Sequence, residues 1–322
     1  MKDQFQREID YIRISITDRC NLCCRYCRPD HIDHLSHNDI LTYEEILTLC
    51  RIFVKLGIHK FKITGGEPLV RKDCISFIRQ LKKLPGVSSV TLTTNGIKLK
   101  DSIKELEESE IDGVNVSLDS LNSQTYKKIT GTDVVEIVKD AIIAASEAGL
   151  SVKINTVLES ETSMEDIWAF IDFVKNHRVP VRFIERMPMG FEYEDFSILD
   201  KEAILTKIIK KGIRIEKISD TSSIGNGPAT YYKLDGYDGL IGFIEALHGK
   251  FCHMCNRIRL TSAGQLKPCL YYPETLNLRD MIRNKYDEDE MMQEIKKAIY
   301  EKPKSHDFEK EPSEVNMSSI GG

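Results

Sequence analysis

The feature that most constrains how this chain folds is an alternation, from residue 11 to about residue 187, of short β-branched runs with longer amphipathic stretches. The strand-like runs are residues 11–17, 61–64, 90–94, 114–118, 152–158 and 181–187. Between them lie helical patterns at 43–56, after the cap candidate Thr42, and at 74–84, 99–109, 134–148, closed by Gly149, and 164–176. Strands that alternate with helices imply parallel βαβ units, because a parallel pair needs a long crossover and an amphipathic helix covers the sheet while making it. Each unit takes about 30 residues, so the stretch holds roughly six, short of the eight that close a barrel. The expected fold is α/β: an incomplete (β/α)6 TIM-like barrel over residues 1–212, with its chemistry in the loops that follow the strand C-terminal ends.

After residue 200 the pattern changes. A helix is expected at 201–211, then hairpin-like alternation from 213 to 244 with turn signals at 225–228 and 235–239, a small hairpin turning at Ala263 and Gly264, and helices near 276–284 and 289–300. This reads as a C-terminal α+β domain, 213–300. Residues 301–322 are polar, contain proline and carry few large apolar residues, so they are expected to form a loosely ordered, flexible tail ending in Gly-Gly. With 322 residues, 41% hydrophobic and 30% charged, the chain can bury a full core. No apolar run approaches the roughly 18 residues of a membrane span and the start MKDQFQREID lacks an apolar signal region, so the expectation is a cytoplasmic protein without a membrane partner. A formal charge of −5 argues against general nucleic-acid binding, so any polyanion must be gripped by a local concentration of Arg and Lys.

The chemistry-bearing residues cluster where that architecture would expose them. Directly after the first strand, residues 19–27 read RCNLCCRYC, with Cys20, Cys23, Cys24 and Cys27 inside eight positions. In a reducing compartment such a set points to metal or redox chemistry rather than disulfides. Cys20, Cys24 and Cys27 give C-x3-C-x2-C, three ligands for a cuboidal cluster whose fourth iron stays open; all four thiols could instead form a zinc or ferredoxin-like knot. A second set, Cys252, Cys255 and Cys269, has His248 and His253 as nearby alternative donors, so a Cys3His zinc ribbon competes with a second cluster. Cys23, Cys50 and Cys74 are otherwise read as buried small apolar residues. Gly65-Gly66-Glu67-Pro68 follows the second strand, where paired glycines let the backbone approach a ligand carboxylate and Glu67 could accept from an ammonium. Ser117 and Asp119 end the fourth strand, as ribose or carboxylate contacts or as caps. The alternation of Arg257 and Arg259 would put both on one strand face, which suits a phosphate chain or is an ordinary solvated face.

Taken together, TDRCNLCCRYC, KITGGEP, TTNG at 93–96, NVSLDS at 115–120, the C-x2-C-x13-C set with its R-x-R, and the final Gly321-Gly322 resemble the GTP 3′,8-cyclase family of radical S-adenosylmethionine (SAM) enzymes, which open molybdenum cofactor biosynthesis. The resemblance implies two [4Fe-4S] clusters, on Cys20, Cys24 and Cys27 and on Cys252, Cys255 and Cys269. It implies SAM beside Tyr26, Gly66, Glu67, Ser117 and Met187, and GTP beside Arg13, Lys62, Thr93, Lys153, Arg182, Arg257 and Arg259. It also implies that Gly321 and Gly322 enter the active site, that an external donor supplies the electron, that the protein is a homodimer, and that the product passes to cyclic pyranopterin monophosphate synthase. Two departures stand out: Lys62 where the family commonly has Arg before I-T-G-G-E-P, and the extra thiol of Cys23. The rival readings are a peptide-modifying radical SAM enzyme with an auxiliary cluster and a non-enzymatic iron–sulfur or zinc module.

Overall fold

The computed structural model describes residues 1–27, 34–189, 199–221, 224–273, 275–308, 310–313 and 317–320. In its first part strands and helices alternate: β1 (Tyr11–Ser15), α1 (Tyr43–Lys55), β2 (Lys60–Thr64), α2 (Cys74–Lys82), β3 (Ser89–Thr94), α3 (Leu99–Glu108) and β4 (Gly113–Ser117). Then come α4 (Ser123–Thr130), α5 (Val135–Glu147), β5 (Val152–Leu158), α6 (Met164–Asn176), β6 (Val181–Glu185) and α7 (Lys201–Lys210). The second part holds β7 (Ile215–Lys217), β8 (Thr230–Leu234), β9 (Leu240–Ile244), β10 (Arg257–Leu260), β11 (Gln265–Lys267) and β12 (Leu276–Asn277). It closes with α8 (Leu278–Arg283), α9 (Glu288–Tyr300) and α10 (Met317–Ile320).

Local chemistry explains the boundaries. The Thr42 hydroxyl accepts from Glu45 N–H at 3.2 Å while the Glu45 carboxylate accepts from Thr42 N–H at 2.7 Å, a capping box that starts α1. Ser163 and Asp166 do the same for α6. Helix α4 escapes the periodicity because SQTYKKIT is short and mostly polar; Asn122 caps it and Gly131, at φ +80°, ends it in the left-handed conformation that glycine adopts without penalty.

All strands join one sheet in the order β12-β11-β10-β1-β2-β3-β4-β5-β6-β9-β8-β7. Strands β1 to β6 are parallel neighbours, as the alternation requires. The second part adds a parallel strand at each edge, β10 beside β1 and β9 beside β6. Antiparallel β11 and β12 extend one side, β8 and β7 the other. Covering both edges satisfies backbone groups that an open six-stranded sheet would leave exposed. The core lies between the sheet and the helices, with Ile12, Ile14, Phe61, Ile63, Leu92, Val116 and Ile154 fully buried against Phe53, Phe77, Val138 and Phe170.

Described parts of the tail pack on the folded body. Lys302, His306, Phe308, Ser313 and Ile320 are buried. Among the described residues, Phe308, Met317 and Ile320 of the tail reach one small cluster with Met189, Met187, Leu247, Leu270 and Tyr271. Ser313 bonds to Pro188 and Tyr271 backbone carbonyls at 3.0 and 2.8 Å.

Candidate active site

The first cysteine loop leaves the C-terminal end of β1. Cys20, Cys24 and Cys27 are half-buried and Cys23 is exposed, so Cys23 does not fit the reading of a buried apolar residue, whereas Cys50 and Cys74 do. The Cys24 thiol is pushed well above its ordinary value by burial, then by the charges of Asp119, Cys27, Cys20 and Cys23, so the four sulfurs share one neighbourhood. Backbone bonds set the loop: Cys27 N–H donates to Cys24 O at 3.0 Å, while Cys23 and Arg25 N–H donate to Thr130 O and Ile129 O at 3.2 and 3.1 Å. Those acceptors are terminal carbonyls of α4, which no residue of its own helix can satisfy. The Tyr26 hydroxyl donates to Asp119 at 2.9 Å, and the other Asp119 oxygen accepts from Val157 N–H at 2.9 Å. Burial raises Asp119 to about 6 against these two bonds.

The Gly65-Gly66 turn packs directly on this loop. Gly66 N–H donates to Thr17 O at 2.7 Å and Glu67 N–H to Arg19 O at 2.8 Å. A Cβ on Gly66 would lie 2.4 Å from Arg19 O, and one on Gly65 would lie 2.7 Å from Thr17 O. The close approach that needs glycine is therefore between two backbone segments, and the Gly66 N–H is engaged by Thr17 rather than held out to a carboxylate. Glu67 is buried, and its carboxylate accepts from Leu69 N–H (2.9 Å), the Thr94 hydroxyl (2.8 Å) and Asn95 N–H (2.6 Å). Asn95 in turn donates its side-chain amide to Asn21 at 2.7 Å. Glu67 thus couples the turn after β2 to the end of β3 and, through Asn95, to the cysteine loop.

Register brings the cationic candidates together. Arg13 lies level with Lys62 on one side and Arg259 on the other, and Lys62 with Thr91, two residues before Thr93. Asn115 lies level with Thr93 and Lys153, and Asn155, two residues on, with Arg182. Side chains two apart share a sheet face, so Arg13, Lys62, Thr93, Lys153, Arg182, Arg257 and Arg259 all project to one side. The sheet curls around them. Laid flat, β1 and β6 would stand about 24 Å apart at five strand spacings, yet Arg182 acts electrostatically on Arg13 and Lys62. Lys62 keeps some exposure but looks into a protein-walled hollow; burial, then Arg182, Arg13, Lys153 and Arg257, hold its ammonium well below the ordinary range. Burial, then Arg182, lower Lys153 to about 8. Buried Arg182 Nε, Arg257 Nε, Arg259 Nη1 and Thr93 Oγ1 have no hydrogen-bond partner among the described residues. The concentration of cations that a net-acidic chain needs for a polyanion is present here.

The same face carries Tyr11, Asn115, Asn155 and Tyr231, none of which we singled out from sequence. Arg182 donates to the Asn115 side-chain Oδ1, and Tyr11 lies among Arg13, Arg257, Arg182 and Arg259. Strand parity could have found Tyr11, Asn115 and Asn155, two residues from Arg13, Ser117 and Lys153 respectively. Tyr231 sits on the face through β9, whose parallel pairing to β6 has no sequence signal.

The second cysteine set lies beside the Arg257 end of this face. Cys252 and Cys255 flank a single helical turn, and Cys269 follows β11. Burial works to raise the Cys255 thiol, but Lys302, Arg257 and Arg7 outweigh it and hold the group below its ordinary value; Cys252 feels Cys255 and Cys269. Ser117 ends β4 half-buried, two residues before Asp119, and Met187 packs in the tail cluster with Leu270. Gly321 and Gly322 lie outside the described residues. Among the described residues no three His, Cys, Asp or Glu side chains converge as ligands of one metal ion would. A cuboidal cluster, with one iron per thiolate, asks for three thiols gathered around a larger body, and both sets supply that donor chemistry.

Comparison with known proteins agrees with this arrangement. Residues 14–174 match the Radical SAM superfamily and residues 179–308 match Molybdenum Cofactor Synthesis C. The chain is 42% identical over 327 residues to the GTP 3′,8-cyclase of Clostridium perfringens (strain SM101 / Type A), covering all of both chains. It is 38% identical over 335 residues to that of Limosilactobacillus fermentum, covering 99% of this chain and 98% of the other. In fold it is similar to Streptococcus suis SuiB bound to its precursor peptide SuiA, with a TM-score of 0.65 at 15% identity, covering 97% of this chain and 75% of that one. SuiB bound to S-adenosylmethionine gives a TM-score of 0.60 at 17% identity, covering 87% of this chain and 66% of that one. A radical SAM sheet carrying a molybdenum-cofactor-synthesis C-terminal part, with relatives of this identity along its whole length, makes the chain a member of the GTP 3′,8-cyclase family.

Proposed function

We propose that the chain converts GTP to (8S)-3′,8-cyclo-7,8-dihydroguanosine 5′-triphosphate, the first step of molybdenum cofactor biosynthesis. The observation that carries the reading is the single sheet face on which Arg13, Lys62, Lys153, Arg182, Arg257 and Arg259 converge, with one three-thiol set at the end of β1 and the other beside β10. A triphosphate suits that face; a neutral peptide has no need of six cations. Cys20, Cys24 and Cys27 would hold the [4Fe-4S] cluster that, when bound, supplies the electron by which SAM yields the hydrogen-abstracting 5′-deoxyadenosyl radical. Cys252, Cys255 and Cys269 would hold a second cluster.

The protein's own contribution is position. Asp119 fixes the Tyr26 ring beside the first thiols, and Glu67 and Asn95 set the loop that carries them. The arginines and lysines clamp the triphosphate, which fixes ribose and guanine relative to the two sets, and the curled sheet keeps water from the reacting carbons. The C3′–H bond has no adjacent carbonyl, so no general base on this face could remove it as a proton. We further propose that Gly321-Gly322 enters this hollow, that an external reductant delivers electrons, and that the protein is a cytoplasmic homodimer handing its product to cyclic pyranopterin monophosphate synthase. Among the described residues no helix is long and apolar enough to cross a membrane. The division at 212/213 remains our working boundary.

The test is anaerobic incubation of the reconstituted protein with SAM, dithionite and GTP, read by mass spectrometry. We expect 5′-deoxyadenosine together with a GTP isomer of unchanged mass. Deoxyadenosine with GTP left intact would move the substrate elsewhere, and neither product from fully loaded protein would leave an electron carrier.

A further inference from the structure

Lys302 lies in the tail and is 2% exposed, yet among the described residues no carboxylate pairs with it. Its ammonium instead donates to Arg257 O, at 2.9 Å, and to Pro268 O. Those carbonyls belong to the two separate segments that supply the second cysteine set: Arg257 is two residues past Cys255, and Pro268 immediately precedes Cys269. The tail thus ties together the two ends of the β10–β11 hairpin, from which the two cysteine segments leave.

Arg7 adds a second clasp, donating to Cys252 O at 2.9 Å and to the carbonyls of Pro303 and Lys304 at 2.6 and 2.9 Å. Its charge is answered by Asp3 at 2.6 Å, with both side chains buried. Among the described residues Lys302 has no such answer. A buried ammonium that meets only neutral carbonyls is costly unless a negative body stands close by. The second cysteine set would supply such a body once it holds a cluster, since Lys302 acts electrostatically on both Cys252 and Cys255.

We propose that Lys302 is a positioning residue of the second cysteine set, the buried counter-charge that aligns its two ligand segments and sets the reduction potential of the cluster held there. This rests on the reading that Cys252, Cys255 and Cys269 hold an iron–sulfur cluster. Reduction adds negative charge to the cluster, so a cation beside it favours the reduced form and raises the potential.

The experiment uses the full chain carrying both clusters and follows each by redox titration with electron paramagnetic resonance, the first cluster serving as internal control. Lys302→Gln keeps a donor for the carbonyls but removes the charge; Lys302→Arg keeps both. We expect Lys302→Gln to lower the reduced-to-oxidised ratio of the second cluster about tenfold at a fixed potential, a shift of about 59 mV for one electron. The first cluster should not move, and Lys302→Arg should restore the second. Equal potentials in wild type and Lys302→Gln would overturn the proposal, as would equal shifts in the Gln and Arg variants, which would mark a packing effect. Should Lys302→Gln fail to fold, a second-cluster potential in Lys302→Arg far from wild type overturns it on its own. Iron content separates the two readings: wild-type protein whose iron does not fall on Cys252→Ala has no second cluster, and both readings fail.

Discussion

At the residue scale, lysines rather than arginines on part of the cationic face make a measurable difference. An arginine stays charged whatever its surroundings, but a lysine can surrender its proton, and burial, then the neighbouring cations, press Lys62 and Lys153 to do so. The linkage has a definite sign. Without ligand, Lys153 titrates near about 8 and Lys62 well below its ordinary value; a bound triphosphate favours the ammonium forms and raises both. Binding therefore takes up protons once the pH exceeds the free-state values, and GTP affinity falls as pH rises above about 8, by up to about tenfold per pH unit for each group involved. Calorimetric titration with GTP at roughly pH 8.5, in two buffers of different ionisation enthalpy, should show net uptake that shrinks in Lys153→Arg. Zero uptake in the wild type would refute the account. A second residue, Gly66, has its Cβ space filled by Arg19 O at 2.4 Å. Gly66→Ala should displace the cysteine loop, lowering iron retention at the first set and the melting temperature together; unchanged iron content would show that the loop can yield there.

At the element scale, legibility followed the strength of the local signal. Strand β5 and helix α6 occupy the residues expected of them, because the alternation from Val152 is strict and Ser163 supplies a capping box. Helix α4 was missed, although its last carbonyls anchor the cysteine loop, because a two-turn polar helix has no periodicity to read. The cationic face was half legible: the residue types stood out, but only the register between strands shows that they share a side. Glu67 proves to be enclosed by three donors, and no spacing rule foretells a partner 27 or 28 residues away. Asp119 is the joint at this scale, tying the cysteine loop, the end of β4 and the end of β5 through Tyr26 and Val157. Asp119→Ala strands a buried hydroxyl and a backbone N–H, at a cost of about 1–3 kcal/mol. The expected result is a lower melting temperature and a raised KM for SAM, with Asp119→Asn milder in both because its amide oxygen can still accept from Val157. Equal effects of the two variants would mean that the charge, not the bonds, is what Asp119 supplies.

At the scale of the whole molecule, the chain's two parts are one sheet. Strands β9 and β10 bracket the six strands of the first part, which the change of pattern after residue 200 does not foretell, since pairing between distant segments leaves no local periodicity. The tail follows the same logic: its composition argues for looseness, yet Lys302, His306 and Phe308 dock because the folded body offers carbonyls and an apolar notch at the right places. The chain's end reaches the same cluster, for Ile320, the residue before Gly321-Gly322, is buried with Met187 and with Leu270, the neighbour of Cys269. Two truncations separate the tail's contributions. Removing 301–322 takes away the Lys302 staple and the Phe308 anchor, so the second set should lose its iron while the first, held by α4, Asn95 and Asp119, keeps its own; total iron should fall by roughly half. Removing only Gly321-Gly322 leaves every contact just described in place, so iron content and melting temperature should match the intact protein while cyclisation of GTP is lost. Full turnover by the shorter truncation would exclude the glycine pair from the reaction. Full iron in the longer one would mean that the second set holds its cluster without the tail, leaving Lys302 no part in its assembly.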